Sequence, residues 1–125
     1  MKEQIVSLGF VLRNYEMYKA VLEFRPKKYM FGTLNYGEII GLINNSDGDR
    51  WDIFIPGYKQ KLEIGREFKI KNIIGFLYLN NGNHKIAIRV DRPGFKKEDC
   101  DLEILNYTQT YLFKNQKKGM FVYLY

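Results

Sequence analysis

Three aspartates lie within six positions of one polar segment: Asp47, Asp49 and Asp52. Gly48 lets the chain turn between the first two, because glycine adopts backbone angles that are closed to other residues. Carboxylates held together repel one another by up to ~4 kcal/mol per pair at 4 Å with an effective dielectric near 20. A divalent cation reverses that sign, and Mg²⁺ suits a small open cluster. The segment is therefore either a metal site or a polar turn, since Asn, Ser, Asp and Gly all form turns.

Short strands separated by turn signals must position these acids. The strand patterns cover residues 5–12, 18–24, 38–43, 51–55, 67–79, 85–90 and 120–125. Several short strands at this spacing, in a chain with ten Tyr and nine Phe, are typical of a β-sandwich or a small barrel. Alternation along the fourth strand places Trp51 and Ile53 on one face and Asp52 on the other.

A turn and a helix complete the expected elements. The sequence NNGN at residues 80–83 predicts a type I′ turn, so residues 73–90 are expected to form a hairpin. His84 follows this turn, where a lone histidine is either a solvated strand residue or a ligand or proton donor near neutral pH. Residues 97–114 suit a helix with Leu102, Leu105 and Leu112 on one face, although residues 107–111 would also suit a strand. We predict the helix.

Composition limits the class of protein. A length of 125 residues fits a single domain. The net charge of +6 is uneven, because residues 47–52 hold three acids and one base between two basic segments. This distribution suits a polyanionic partner with a divalent cation between them, and it equally suits a basic chain that is only well solvated. The single cysteine, Cys100, excludes an internal disulfide and favours a reducing, cytoplasmic compartment. No apolar run approaches the ~20 residues that cross a bilayer, so no membrane span is predicted.

The order of motifs resembles that of soluble family I inorganic pyrophosphatases. NYGEI (residues 35–39) is similar to the family's NYG-aromatic-I, and DGDRWDIFI (residues 47–55) to its DGDPxDxxV. NYEMYKAVLEFR (residues 14–25), the strand and turn pattern of residues 62–90, and LFKNQKKG (residues 112–119) stand in the family's order. The resemblance implies a mainly β, α+β fold: a small closed five-stranded OB-like barrel with one or two short helices near the C-terminus.

The same resemblance implies Mg²⁺-dependent hydrolysis of pyrophosphate or a related phosphoanhydride. Asp47 would ligate metal, Asp49 would both ligate metal and activate the attacking water, and Asp52 would bridge two metal ions. Tyr36 and Glu16 would complete the catalytic residues.

Further residues would bind metal and phosphate. Arg25 and Lys114 would bind phosphate oxygens. Arg50 replaces the family's proline, and it would either bind phosphate in a bidentate manner or neutralise Asp47 in a surface pair. Asn81 and Asn83 stand where the family carries two more metal-binding aspartates, and their amides bring oxygen without charge.

A second class of function stays open. A basic OB barrel with many aromatics is also the layout of single-strand nucleic-acid binders. The residues expected to form its groove are Lys59, Lys61, Lys69, Lys71, Lys85 and Arg89, and the expected stacking platforms are Tyr58, Phe68 and Tyr78. The alternative is that most of these aromatics are core residues and the lysines a solvated face. A third possibility is a non-catalytic protein-interaction domain that uses the barrel as a binding surface. Association into a homo-oligomer also stays open.

Overall fold

The computed structural model describes residues 2–23 and 35–124. Its strands are Gln4–Val6 (β1), Lys19–Leu22 (β2), Tyr36–Asn44 (β3), Arg50–Phe54 (β4), Glu67–Leu79 (β5), Lys85–Val90 (β6) and Gly119–Tyr123 (β7). Its helices are Leu8–Asn14 (α1) and Lys97–Asn115 (α2), with a 3-10 turn at Tyr15–Met17. Neither α-helix of the described ranges has the length and apolar composition needed to cross a membrane.

Five of these strands close a mixed barrel in the circular order β2, β3, β4, β6, β5. All neighbouring pairs are antiparallel except β4 and β6, which run parallel. β1 extends the sheet beside β3, and β7 extends it beside β5, both outside the barrel. The predicted fold class, a mainly β, OB-like five-stranded barrel, is therefore confirmed.

Alternating side chains of β4 separate two layers of the structure. Trp51 and Ile53 point into the barrel, where the Trp51 indole N–H donates to the carbonyl of Val6 at 3.1 Å. Phe54 points outward and stacks on Tyr107 of α2, with ring centroids 4.3 Å apart. The outer face of the barrel is thus covered by α2, and Asp52 shares that face.

The first predicted strand, residues 5–12, is correct only for Ile5 and Val6. Ser7 caps a helix there, because its hydroxyl accepts from the Phe10 N–H, and α1 follows. Val11 is fully buried against the core, and Leu8 and Leu12 pack partly beside it. One of the two short helices therefore lies near the N-terminus, and only α2 lies near the C-terminus.

Helix α2 confirms the predicted helix but not its predicted face. Its buried side is Cys100, Ile104, Tyr107 and Tyr111. Leu102 and Leu105, expected on the apolar face, are 60% and 51% exposed. Aromatic side chains of α2 meet the outer side of the barrel, so shape complementarity rather than leucine spacing decides which face is covered.

The predicted hairpin is confirmed, with β5 and β6 paired antiparallel. Its turn is not of type I′, because that turn needs two positive φ angles and only Gly82 has one, at 83°. The connection spans five residues rather than two, and the side chain of Asn81 accepts from the Asn83 N–H within it.

Candidate functional site

Side chains within the acidic segment close its turn. The Asn44 side-chain oxygen accepts from the Ser46 N–H at 2.8 Å, and Asp47 Oδ1 accepts from the Asp49 N–H at 3.0 Å. Gly48 takes a φ of 77° between the two acids. Asp47 therefore makes the local backbone contact that favours Asp in turns, and Asp47 and Asp49 are both exposed.

The acidic turn packs against the hairpin turn. The Asn44 amide donates to the carbonyl of Gly82 at 3.2 Å. A Cβ added at Gly82 would lie 2.9 Å from the Cβ of Ser46, so the approach requires glycine. Asn81 and Asn83 are the two asparagines expected as metal ligands. The side chain of Asn81 accepts a hydrogen bond within the hairpin turn, whereas the side chain of Asn83 shares one hydrogen-bonding partner with Asp52.

That shared partner is Lys85. Its ammonium lies 2.5 Å from Asp52 Oδ2 and 3.1 Å from Asn83 Oδ1. The Lys85 side chain is only 6% exposed and that of Asp52 17%. The ring of Tyr111 lies 5.8 Å from the ammonium and encloses it further. A cation supplied by the chain thus occupies the point where the oxygens of Asp52 and Asn83 converge.

Tyrosines of β3 and α2 form the floor beside this ion pair. Tyr36 is buried, and its ring centroid lies 6.4 Å from that of Tyr107. Burial raises the pKa of Tyr107 well above its usual value, and Tyr36, Tyr111 and the charge of Asp52 act in the same direction. Tyr36 is therefore close to the predicted site, as a buried wall rather than an exposed catalytic group.

Arg50 binds acids other than Asp47. Its guanidinium donates to Glu3 at 2.7 Å and to Glu38 at 2.9 Å, and these two hydrogen bonds raise the pKa of Arg50. Glu38 is the register partner of Asp52 across the β3–β4 pair, so both lie on the outer face. Neither of the two roles expected of Arg50 describes this arrangement.

Acids that were not predicted join Asp49 and Asp52 in one polar cleft of about 420 Å³. They are Glu3, Glu23 and Glu38. The alternation of β3 gave the only sequence signal for one of them, since it places Glu38 outward. Glu3 and Glu23 come from distant segments that the barrel brings together.

Two further predicted residues, Glu16 and Lys114, do not line this cleft. Glu16 lines a separate cleft with Lys69, Lys71 and Asp91. Lys114 is exposed in the last turn of α2. Arg25 lies outside the described residues.

The side chains as placed do not form a donor set for Mg²⁺. Residues 2–23 and 35–124 contain no group of three or more His, Cys, Asp or Glu that could hold a metal ion. Asp47 is engaged in its turn, and Asp52 is neutralised by Lys85. Mg²⁺ prefers carboxylates and waters in near-octahedral geometry, so an ammonium at the convergence point competes with it. The magnesium site stays a prediction that the geometry does not support.

His84, the single histidine, has a structural contact. It is 9% exposed, its Nδ1 accepts from the Leu79 N–H at 3.0 Å, and its ring stacks on Tyr78 at 4.5 Å. Burial, and then the charge of Lys85, lowers the pKa of His84 below its ordinary value of 6.5. It is therefore a buried residue rather than the solvated strand residue that its sequence position allowed.

The residues predicted to form a nucleic-acid groove do not all lie on one surface. Tyr58 and Phe68 are 3% and 6% exposed, so they belong to the core, whereas Tyr78 is 46% exposed. Lys85 is buried in the ion pair. Beyond the ends of β4 and β6, away from the acidic turn, a cleft of about 290 Å³ carries the cations Lys59, Lys61, Arg92 and Lys96.

Comparison with family models, with curated proteins and with solved structures finds no match for this chain. The fold and the sites define a small OB-like barrel with an ion-paired acid at one end and a cationic cleft at the other.

Removing one member of the Lys85–Asp52 pair is expected to destabilise the fold. Lys85→Met leaves a buried carboxylate without its counter-ion, so we expect the free energy of unfolding to fall by about 3–5 kcal/mol in urea titrations. The double variant Lys85→Met/Asp52→Asn should cost less than the sum of its two single variants.

A matched control is Lys97→Met, since Lys97 pairs with Asp101 at 3.1 Å on the surface with an 80% exposed side chain. Breaking that pair should change the free energy of unfolding by less than about 1 kcal/mol. Equal small losses for Lys85→Met and Lys97→Met would contradict a structural role for the buried pair.

Acidification should act through His84. The pKa of His84 is lower in the folded state than its unfolded value of 6.5. The stability that follows from the neutral imidazole is therefore present above pH 6.5 and is lost as the pH falls through the folded-state pKa. NMR titration of the single imidazole should therefore give a midpoint below 6.5. His84→Gln should flatten the loss of unfolding free energy over the same pH window. A midpoint at or above 6.5 would show that burial and the charge of Lys85 do not hold the imidazole neutral.

Proposed function

We propose that this chain is a non-catalytic OB-like barrel module that binds single-stranded nucleic acid through its phosphates. The observation that carries the proposal is the cleft of Lys59, Lys61, Arg92 and Lys96, whose lining within the described residues contains no carboxylate. Phosphate contacts from such side chains supply most of the affinity in binding that does not depend on sequence.

The charges of this cleft are available in different degrees. Arg92 shares its guanidinium with Glu63, in a pair whose side chains are 30% and 49% exposed. Exposed pairs of this kind are worth little, so a phosphate can compete for the arginine. Lys59 and Lys61 lie together on the exposed segment that follows β4. A strand that crosses this segment would meet several cations in sequence.

The acidic end of the barrel favours binding over hydrolysis. Asp52 has its counter-ion in Lys85, and Asp47 closes a turn, so neither carboxylate is arranged for a shared metal ion. Within the described residues, the lining of the polar cleft carries five carboxylates, one of them paired with Lys85, and one guanidinium, that of Arg50, so this surface is expected to repel a polyanion. A nucleic-acid strand is therefore expected at the opposite end.

Hydrolysis of pyrophosphate is the second candidate. It is favoured by the resemblance of the motif order to family I pyrophosphatases and by Asp49 and Asp52, which line one cleft. The residues of that cleft would have to rearrange around a metal ion.

Fluorescence anisotropy with a labelled single-stranded oligonucleotide tests the binding function. We expect log K to fall with log salt with a slope of roughly −0.7 per phosphate neutralised, so about −3 for four contacts. The double variant Lys59→Ala/Lys61→Ala should weaken binding and reduce the slope by about 1.4. Lys117→Ala/Lys118→Ala removes the same charge from the exposed segment after α2 and should leave the slope unchanged.

Two results would contradict the binding function. One is an absent or salt-independent response to the oligonucleotide. The other is phosphate release from pyrophosphate that requires Mg²⁺ and is lost in Asp49→Asn, a variant of an exposed residue that should fold normally. The second result would favour the hydrolase.

A further inference from the structure

A second cleft, of about 540 Å³, lies between the outer face of the barrel and the start of α2. Lys71 and Asn72 of β5 and Arg89 of β6 form one side, and Lys97 of α2 and Tyr123 of β7 form the other. The volume falls within the ~300–1,000 Å³ of small-molecule sites. It is separate from the cleft of Lys59 and Lys61 and from the acidic cleft.

An irregularity of β5 brings two polar side chains to the same cleft. Consecutive residues of a regular strand point to opposite faces, yet Lys71 and Asn72 both line this cleft. The register explains this, because Ile70 pairs with Val90 while Asn72 pairs with Arg89, so Lys71 is one extra residue. A bulge of this kind re-aims side chains and is common beside binding sites.

Arg89 is held in a fixed orientation at the base of the cleft. Its guanidinium carbon lies 4.3 Å from the centroid of the Phe95 ring. Phe95 itself is fixed from behind, since a Cβ added at Gly57 would lie 2.5 Å from its ring, and Tyr58 packs against it edge-on. The buried Nε of Arg89 has no hydrogen-bond partner within the described residues. A stacked guanidinium keeps its donors in one plane, which suits a phosphate or a carboxylate.

The cleft carries an excess of positive charge. Its charged groups are Lys71, Arg89, Lys97 and Asp101, three cations and one anion, which leaves a net charge of +2. Lys97 and Asp101 pair with each other at 3.1 Å. In the described part of the chain, Lys71 and Arg89 form no ion pair, although Lys71 also borders the cleft that Glu16 and Asp91 line.

Apolar and aromatic residues also line the cleft. Ile74 and Cys100 are among them, and burial raises the pKa of the Cys100 thiol to about 12, so this group stays neutral. Tyr123 is 48% exposed and offers its ring to the cleft. The amide of Asn72 can donate and accept, as the edge of a nucleobase requires. Stacking on an aromatic ring together with hydrogen bonds to an edge is how proteins hold an unpaired base.

We propose that this cleft binds one nucleotide unit, with Arg89 and Lys71 on the phosphate, Tyr123 against the base and Asn72 at its edge. The ligand can be a free mononucleotide or one nucleotide of a single strand, because both present the same phosphate and base. The proposal does not depend on the cleft of Lys59 and Lys61.

Isothermal titration with adenosine 5′-monophosphate, adenosine and inorganic phosphate tests the site. We expect the monophosphate to bind at least tenfold more tightly than either part alone. Arg89→Met should lower its affinity at least tenfold, and Tyr123→Ala, a change of an exposed residue, should lower it several-fold. Lys118→Met removes one positive charge from the exposed segment after α2 and should leave the affinity unchanged.

A single-stranded oligonucleotide separates the two sources of the ligand. Monophosphate binding that is lost in Arg89→Met and weakened in Tyr123→Ala supports the site with a free nucleotide as ligand. Binding of the oligonucleotide alone, lost in Arg89→Met, supports it with a strand as ligand. Failure of both ligands to bind, or affinities unchanged in both variants, would overturn the proposal. Binding of the monophosphate alone would leave this site intact while contradicting the strand-binding function.

Discussion

The buried ion pair between Lys85 and Asp52 is the interaction on which both the fold and the candidate site depend. It joins β4 to β6, the one parallel pair of the barrel, whose register places Ile53 beside Ile86. An ammonium that is taken out of water needs a close negative partner, so the carboxylate of Asp52 stays paired with Lys85. The same carboxylate is the central ligand in the metal site that the motif order suggested.

Acidic and basic residues lie on different parts of the surface of the barrel. At the start of β4, carboxylates gather around Arg50, and Lys85 is hidden beneath α2. Past the ends of β4 and β6, lysines and Arg92 line one cleft, and Lys71, Arg89 and Lys97 line another beside the start of α2. The proposed binding of a polyanion rests on this separation of charge, because basic surfaces attract a polyanion and acidic surfaces repel it.

Local patterns predicted much of the fold. Alternation in residues 67–79 and 85–90 gave the bounds of β5 and β6, and the apolar spacing after residue 97 gave α2. The failures have local causes too: the cap at Ser7 turns an apolar run into α1, and Tyr107 and Tyr111 of α2, rather than Leu102 and Leu105, pack against the barrel. The strand alternation also placed Asp52 outward correctly.

The partners of the site residues could not be predicted in the same way. Asp52 meets Lys85 across 33 positions, and Arg50 meets Glu3 across 47, so each contact depends on strand register rather than on local spacing. Nothing in the sequence around Arg50 distinguishes Glu38 from Asp47 as its partner. No pattern in the sequence indicates the bulge at Lys71, although this bulge brings Lys71 and Asn72 to the cleft of Arg89.

The most direct test of this account is the free energy of unfolding measured with and without Mg²⁺ at constant ionic strength. If Lys85 already serves as the counter-ion of Asp52, the two values should agree. A ligand that binds only the folded chain would stabilise it by about 1.4 kcal/mol for each tenfold increase in concentration above its dissociation constant. A rise of that form with Mg²⁺ would contradict the account.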